Sequence, residues 1–453
     1  MSALEPVCND MLLVMYHKLA QSPLISKHAF RLHKVVQLGS QGIWNSAEYI
    51  LYPLLMLAAT PVFLHSLGAR QYGQWMLLIT LGSLGGWAGM GMGAATIREV
   101  ASAHGRGDQH QASDYIRVAS LIVILGTVFV GLLLICAFAL GASRIFSQMG
   151  DRSELYPIII GAPFLIASDQ IDSVFSGALR GAERFGMVAR LEMLSKTIIV
   201  GGCLVAAVTS HRLDLLIVVS VALNFFRVAI KSSAVALLFG IDSILPTWHA
   251  KVAASLISFG KWSFIQLIGS AIFSSADRLM VGSILGADAL ANYSICLQLA
   301  QQVQSIPAAF GGFLFPYFTK RSQALDDRNQ SRLILASTGA LSLLAIVIAL
   351  PIVIGAHPIL GLWVGSAVAA DSSNLLRLLA LGYFTLALPT AAHYFLYGIG
   401  KAKWVALSNL VAGILSLLLN FMLVPRFGAL GAAASRFVYG AVIMISFSWK
   451  LLR

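Results

Sequence analysis

Residues 214–238 read DLLIVVSVALNFFRVAIKSSAVALL, an apolar run whose two basic side chains are Arg227 and Lys231. A helix that crosses a bilayer needs about 20 mainly apolar residues, and this run is long enough. Lipid cannot satisfy the hydrogen bonds of an open backbone, so the run predicts a transmembrane α-helix. The stretch therefore indicates a membrane protein.

The composition of the whole chain agrees with this interpretation. The chain has 453 residues, of which 58% are hydrophobic and 11% are charged. Soluble domains are about a quarter charged. So few charges exclude a soluble enzyme, a disordered regulator and a nucleic-acid reader, and the net charge of +12 instead predicts basic cytoplasmic loops. Four cysteines in a chain of this length do not make a disulfide framework.

Eleven further stretches have the length and apolar character of residues 214–238. The twelve predicted spans are 39–64, 75–97, 116–141, 156–179, 187–209, 214–238, 256–284, 290–318, 332–355, 373–398, 404–424 and 429–449. They are too long and continuous for the strands of a membrane barrel. The sequence therefore predicts an all-α polytopic membrane protein with twelve transmembrane helices.

The distribution of Lys and Arg predicts the orientation. With the N-terminus inside, alternate segments on the inner side carry 20 basic residues and the outer loops carry five. This bias predicts that both termini are cytoplasmic. No loop between spans exceeds about 20 residues, which leaves no room for a catalytic domain outside the membrane.

Residues 1–38 differ from the rest and form a basic segment that precedes the first span. They contain Lys18, Lys27, Arg31 and Lys34, and their apolar piece is too short for the core of a signal peptide. We interpret them as a cytoplasmic extension with an amphipathic helix on the membrane. A wrongly assigned start codon is the alternative.

Two sequence patterns recur at nearly one offset. Leu67-Gly68-Ala69 after span one matches Leu285-Gly286-Ala287 after span seven, 218 residues later (285 − 67). The segment 179–184 that ends span four matches 396–401 at the end of span ten, 217 residues later (396 − 179). An even number of spans per unit predicts a parallel repeat, as in many transporters. The domains are then 39–239 and 256–453, two six-helix lobes joined by a cytoplasmic linker at 240–255.

Three motifs resemble one known family. They are LGARQYG at 67–73, Asp277-Arg278 with the following LGA, and PRFGALGAA at 425–433. In order and spacing they look like the polysaccharide-transporter family, the Wzx-type O-antigen flippases of the MOP superfamily. The resemblance covers roughly 39–449. It implies a fold like that of the MATE multidrug antiporters, and translocation of an undecaprenyl-diphosphate-linked oligosaccharide across the bacterial inner membrane.

Charged residues inside the spans are candidate functional sites, because a charge at mid-bilayer costs a few kcal/mol. Asn224, Arg227 and Lys231 lie on one face of span six, near the midplane. A guanidinium there suits a diphosphate, which it can bind through two parallel hydrogen bonds. A buried structural ion pair is the alternative. Asp169 and Asp172 on span four share the depth of this basic pair, which makes them counter-ions or proton-coupling carboxylates.

The other intramembrane charges receive separate predictions. Arg278 and Arg436 are further candidate contacts for the anionic head group, while Asp277 and Glu48 are candidates for ion or proton coupling. Glu192 and Lys196 lie four residues apart with the acid first, which favours a structural ion pair.

The first half of span eight is rich in glutamine. The residues are Gln298, Gln301, Gln302 and Gln304. Amides suit sugar hydroxyls, but they also join helices to one another. The sequence contains no pattern typical of a metal, nucleotide or nucleophile site, so we expect no metal and no cofactor.

The residues and the resemblance together favour a flippase that moves a lipid-linked oligosaccharide from the cytoplasmic to the periplasmic leaflet. We expect a monomer in the inner membrane, near the glycan polymerase machinery, that is not an enzyme and has no nucleic-acid partner. The first alternative is a multidrug cation antiporter of the same superfamily. The second is a membrane glycosyltransferase or polymerase, against which the short outer loops argue.

Overall fold

A computed structural model describes residues 23–141, 144–321 and 327–452, and α-helices dominate these residues, with no strand among them. The helices of the N-terminal half are α1 (Pro23–Leu84), α2 (Met92–Gly105), α3 (Gln109–Ala139), α4 (Arg152–Gly181), α5 (Phe185–Ser210) and α6 (Leu213–Phe239). The quoted stretch 214–238 therefore falls inside one uninterrupted helix, α6, as predicted. Residues 1–22 of the predicted extension lie outside the described residues, and 23–38 form the start of α1.

The C-terminal half is built in the same way. Its helices are α7 (Ala250–Leu285), α8 (Ala287–Ala300), α9 (Gln302–Arg321), α10 (Asp327–Ile354), α11 (Ala356–Val364), α12 (Ser366–Ala387), α13 (Thr390–Gly398), α14 (Ala402–Phe427) and α15 (Ala429–Leu452). Within the described part of the chain, nine helical stretches are long and apolar enough to cross a membrane. They cover ten of the predicted spans, and 256–284 and 290–318 fall on α7 and on α8 with α9.

Two predicted spans contain breaks at residues that disfavour a continuous helix. In span two, a short 3-10 turn and Gly91, which has a positive φ of 73°, separate α1 from α2. Glycine is suited to this conformation because it has no Cβ. In span ten, Pro389 separates α12 from α13. Proline removes a backbone donor and so interrupts the helix at that point.

The backbone confirms the predicted internal repeat. Residues with positive φ recur in the second half at the offset of the sequence motifs. The matched pairs, 218, 217 and 217 residues apart (286 − 68, 400 − 183 and 428 − 211), are Gly68 with Gly286, Glu183 with Gly400, and His211 with Gly428. Each pair ends the corresponding helix of its half, so the two halves share one fold.

The two halves contact each other most closely between α1 and α8. A Cβ on Gly73 would collide with the backbone carbonyl of Ala287, so this approach requires glycine. Thr60 on α1 donates a hydrogen bond of 2.8 Å to Gln298 on α8. At the other end of the chain's midpoint, Ala253 and Leu256 of α7 are buried in an apolar cluster with helices of the N-terminal half.

Candidate functional site

Six charged side chains from three helices meet inside the N-terminal half. Asp169 and Asp172 come from α4, Glu192 and Lys196 from α5, and Arg227 and Lys231 from α6. We call this group the N-half charge network. Its three acidic and three basic groups balance one another, which offsets the cost of placing charge within the membrane.

Lys231 is the centre of the N-half charge network and is fully buried. Its ammonium donates to Asp172 Oδ2 at 2.7 Å, to Ser176 Oγ at 2.8 Å and to Glu192 Oε1. These partners lie on α4 and α5, so the three donors of one lysine join three helices. The sequence suggested that Lys231 could extend towards the membrane surface, and the structure instead places it in the interior.

Arg227 lies one turn away from Lys231 and borders a cavity. Its guanidinium donates to Asp169 Oδ1, and its Nε lies 3.4 Å from Asp172 Oδ1. The depth match between Asp169 and Arg227 that the sequence predicted is therefore present. The Asp169 side chain is 47% exposed, whereas that of Arg227 is 11% exposed. This pair is the part of the N-half charge network that a ligand can reach.

The cavity beside Arg227 has a volume of about 290 Å³. Polar groups from α1, α4, α5 and α6 line one side of it. They include Tyr52, Asp169, Lys196, Asn224 and Arg227. Lys196 also lies 3.6 Å from Glu192 Oε2. The cavity therefore presents positive groups together with the carboxylates that neutralise them.

The C-terminal half contains a different charged arrangement, which we call the C-half pair: Asp277 on α7 and Arg436 on α15. They form an ion pair in which the side chains are 3% and 2% exposed. The hydroxyl of Tyr293 donates to Asp277, and Arg436 Nη1 donates to the hydroxyl of Tyr383 at 2.8 Å. Four helices are thus tied together around one buried pair, and Arg436 does not line either of the two cavities discussed here.

Arg278, the neighbour of Asp277, faces a second cavity of about 160 Å³. Successive residues of a helix point about 100° apart, so Arg278 cannot share the partners of Asp277. Gln298, Gln301 and Gln302 line the same cavity, together with Tyr52. Of the predicted residues, Glu48 has a side chain outside the described part of the structure.

Sequence reasoning missed several members of these arrangements. Glu192 was matched with Lys196 alone, yet it also accepts from Lys231 on another helix. Tyr293 and Tyr383 were not recognised as partners of the C-half pair. Tyr293 was part of the repeated motif, and its phenol inside an apolar span was the signal that could have found it. Within the described residues, no cluster of three or more His, Cys, Asp or Glu could hold a metal ion.

The architecture is that of a known class of membrane transporter. The chain is similar to a solved inward-facing conformation of a multidrug resistance MATE family transporter of the MOP superfamily. The TM-score is 0.70 at 14% sequence identity, and the match covers 90% of this chain and 94% of that one. At this identity the likeness shows the fold: an all-α membrane protein of the MATE type, which confirms the predicted fold class.

Sequence comparison then gives the family. The family model described as "Polysaccharide biosynthesis protein" matches residues 38–322, more than half of the chain, and the chain belongs to this family. A second model, MatE, matches residues 263–422. The predicted resemblance is therefore confirmed.

Two curated relatives align with most of the chain. One is the "Putative O-antigen transporter" of Shigella flexneri, 26% identical over 407 residues, which are 87% of this chain and 92% of the relative. The other is the "Probable low-salt glycan biosynthesis flippase Agl15" of Haloferax volcanii, 22% identical over 377 residues, covering 82% of this chain and 75% of that one.

Proposed function

We propose that the protein is a flippase that translocates an undecaprenyl-diphosphate-linked oligosaccharide, such as an O-antigen or exopolysaccharide repeat unit. Family membership and the names of both relatives support this function. The observation that carries it is the Arg227 side chain, which borders a cavity within a membrane-embedded fold. A cationic group at that depth suits the diphosphate head of a lipid whose tail stays in the bilayer.

The geometry supports a reversible mode of head-group binding. Arg227 is compensated by Asp169, whose side chain is half exposed to the cavity. An incoming phosphate competes with Asp169 for the guanidinium and binds it through two parallel hydrogen bonds. Asp169 loses its partner at that moment and can take up a proton, which couples the transport step to proton entry. On release of the phosphate, Asp169 returns to Arg227.

The same proposal includes the cellular setting. The protein acts as a monomer in the bacterial inner membrane, with both termini in the cytoplasm, and moves its substrate from the cytoplasmic to the periplasmic leaflet by alternating access. It works close to the glycan polymerase machinery, and it is a transporter rather than an enzyme. The excess of basic residues on the predicted cytoplasmic side supports this orientation.

A multidrug cation antiporter is the second candidate, favoured by the MATE-type fold. A cation site requires carboxylates that are available to the substrate. In the described part of the chain, the carboxylates of the N-half charge network and of the C-half pair are all bound to basic side chains. This arrangement favours an anionic substrate. The drug-resistance profile of a deletion strain distinguishes the two functions.

The direct test is complementation of a deletion strain with Arg227→Ala, Arg227→Lys and a control, Arg190→Ala. Arg190 lies on α5 and donates to its own helix backbone. We expect Arg227→Ala to lower glycan export about 10- to 100-fold, the loss typical of a hydrogen bond to a charged group. Arg227→Lys keeps the charge but loses the two-pronged geometry, so an intermediate loss is expected.

Membrane abundance of each variant is measured by immunoblot, so that export is compared at equal protein levels. Unchanged export in Arg227→Ala at normal abundance contradicts the phosphate role. Normal export in Arg190→Ala shows that removal of an arginine is not harmful in itself.

A further inference from the structure

The second cavity contains a basic group that the fold does not neutralise. Arg278 lines this cavity, and in the described part of the chain no carboxylate lies within ion-pair distance of its guanidinium. Its Nε is buried without a hydrogen-bond partner. Placing a charged group within a membrane is costly unless it is paired. An anionic ligand is the partner that this position lacks.

The adjacent charges explain why Arg278 differs from the other intramembrane arginines. Asp277, its neighbour in sequence, is engaged by Arg436 and Tyr293. Arg227 is engaged by two carboxylates of the N-half charge network. An anion at Arg227 has to displace an acid, whereas an anion at Arg278 displaces none of the described acids.

Glutamine amides form the wall of the cavity that faces Arg278. Gln302 is committed to the protein: its Nε2 donates to the Gln298 carbonyl at 3.0 Å, and its Oε1 accepts from Ser305 at 3.1 Å. Gln298 is held by Thr60, which donates to its Oε1. Gln301 is exposed to the cavity, and no hydrogen bond of its side chain is present among the described residues. Its amide offers both donors and an acceptor to a ligand.

The size of the cavity limits what it can hold. Its volume of about 160 Å³ is well below the ~300–1,000 Å³ of pockets that enclose drug-sized ligands. One ring-sized polar group with a phosphate fits such a space better than an oligosaccharide does. The shared wall residue Tyr52 makes this cavity continuous with the region beside Arg227.

We propose that the second cavity is the subsite for the sugar nearest the lipid and for its phosphate. Arg278 binds the phosphate oxygens, and Gln301 binds hydroxyl or amide groups of that sugar beside the oriented amide of Gln298. This inference rests on the proposed flippase function and adds the group that decides which glycan is accepted. The remaining sugars extend out of the cavity and are not read by it.

Binding of two probes to the full-length protein in nanodiscs tests the subsite. One probe is undecaprenyl diphosphate without a sugar, and the other is undecaprenyl diphosphate carrying a single N-acetylglucosamine. The variants are Arg278→Gln and Gln301→Leu. The matched control is Gln304→Leu, because Gln304 is three residues further along and does not line the cavity.

Each variant has a distinct expected result. Arg278→Gln weakens binding of both probes by about tenfold or more, as expected for a hydrogen bond to a charged group. Gln301→Leu weakens only the sugar-bearing probe, by about 3- to 10-fold, the loss typical of a neutral hydrogen bond. Gln304→Leu binds both probes as the unaltered protein does. Thermal stability is recorded for every variant, and Arg278→Lys, which keeps the charge, is expected to restore part of the affinity.

Three results overturn the subsite. The first is unchanged binding of both probes by Arg278→Gln and Gln301→Leu. The second is an equal loss of both probes in Gln301→Leu, which indicates a structural role. The third is equal affinity of the unaltered protein for the two probes. If the unaltered protein binds neither probe, the proposed function itself is wrong.

Discussion

The two halves of the molecule share one backbone plan but treat buried charge differently. In the N-terminal half, six charged groups form a network in which partners are shared and one edge reaches a cavity. In the C-terminal half, Asp277 and Arg436 form one closed pair, capped by two phenols and shielded from solvent. The repeat therefore conserves the positions of helix ends, such as Gly68 and Gly286, and not the chemistry between the helices.

This difference suggests a division of work between the halves. A network with several acids and bases can exchange partners at low cost, because each group that loses one partner keeps another. A single buried pair has no such alternative, so breaking it leaves an uncompensated charge. The N-half charge network suits a site that binds and releases, and the C-half pair suits a fixed cross-link between helices.

Loss of one member of the C-half pair is expected to have the largest effect on stability. Arg436→Met leaves Asp277 buried with a phenol as its remaining described partner. Removal of one partner of a buried pair typically costs about 3–5 kcal/mol. We expect a strongly lowered melting temperature in detergent, measured by size-exclusion chromatography after heating.

A matched double variant serves as the control for this prediction. Arg436→Met combined with Asp277→Leu removes both charges, and apolar replacement of a buried pair is often neutral. The double variant should recover most of the lost stability. A melting temperature of Arg436→Met equal to that of the unaltered protein means that the pair is not a cross-link.

Loss of the centre of the N-half charge network should cost less. In Lys231→Met, Arg227 lies 3.4 Å from Asp172 and Lys196 lies 3.6 Å from Glu192, so both abandoned acids keep a basic neighbour. We expect a loss of about 1–3 kcal/mol, the cost of leaving buried polar groups partly unsatisfied. The same thermal measurement, carried out beside Arg436→Met, gives the comparison.

The difference between the two variants is the sharp result. A loss in Lys231→Met as large as that in Arg436→Met shows that the network does not redistribute its partners. Lys231→Arg, which retains a cation, separates the loss of charge from the loss of packing.

The smallest effect is expected at the edge of the C-half pair. Tyr293→Phe removes the hydroxyl that donates to Asp277 and leaves the ion pair with Arg436 in place. One hydrogen bond is worth about 1 kcal/mol, so a small decrease in melting temperature is expected. Tyr156→Phe, at an exposed tyrosine on α4, is the control. A decrease as large as that of Arg436→Met assigns the main stabilisation to the phenol instead.

Much of the fold could be predicted because the membrane restricts it. Apolar length identified the spans, and the recurrence of LGA predicted a repeat that the positive-φ pairs confirm. Breaks within spans were harder to locate. Gly91 ends the helical path of span two through a left-handed backbone conformation, but other glycines of the same run do not. Local packing decides which of them is used.

The candidate site was predicted in part. Helical spacing placed Asp169 beside Arg227 and Asp172 beside Lys231, because these residues share a depth on two helices that run in the same direction. Spacing did not distinguish Arg436 from Arg278, which appeared equivalent as basic residues within spans. One is closed off by Asp277, 159 residues away, and the other faces a cavity.

The sequence by itself determined that the chain is a twelve-span membrane protein with two similar halves and a small set of buried charges. Hydropathy and periodicity report the depth of a residue and the face of its own helix, and these follow from local sequence. The tertiary structure alone decided which charges neutralise each other. That choice depends on how each helix is rotated against its neighbours, and contacts between distant parts of the chain set the rotation.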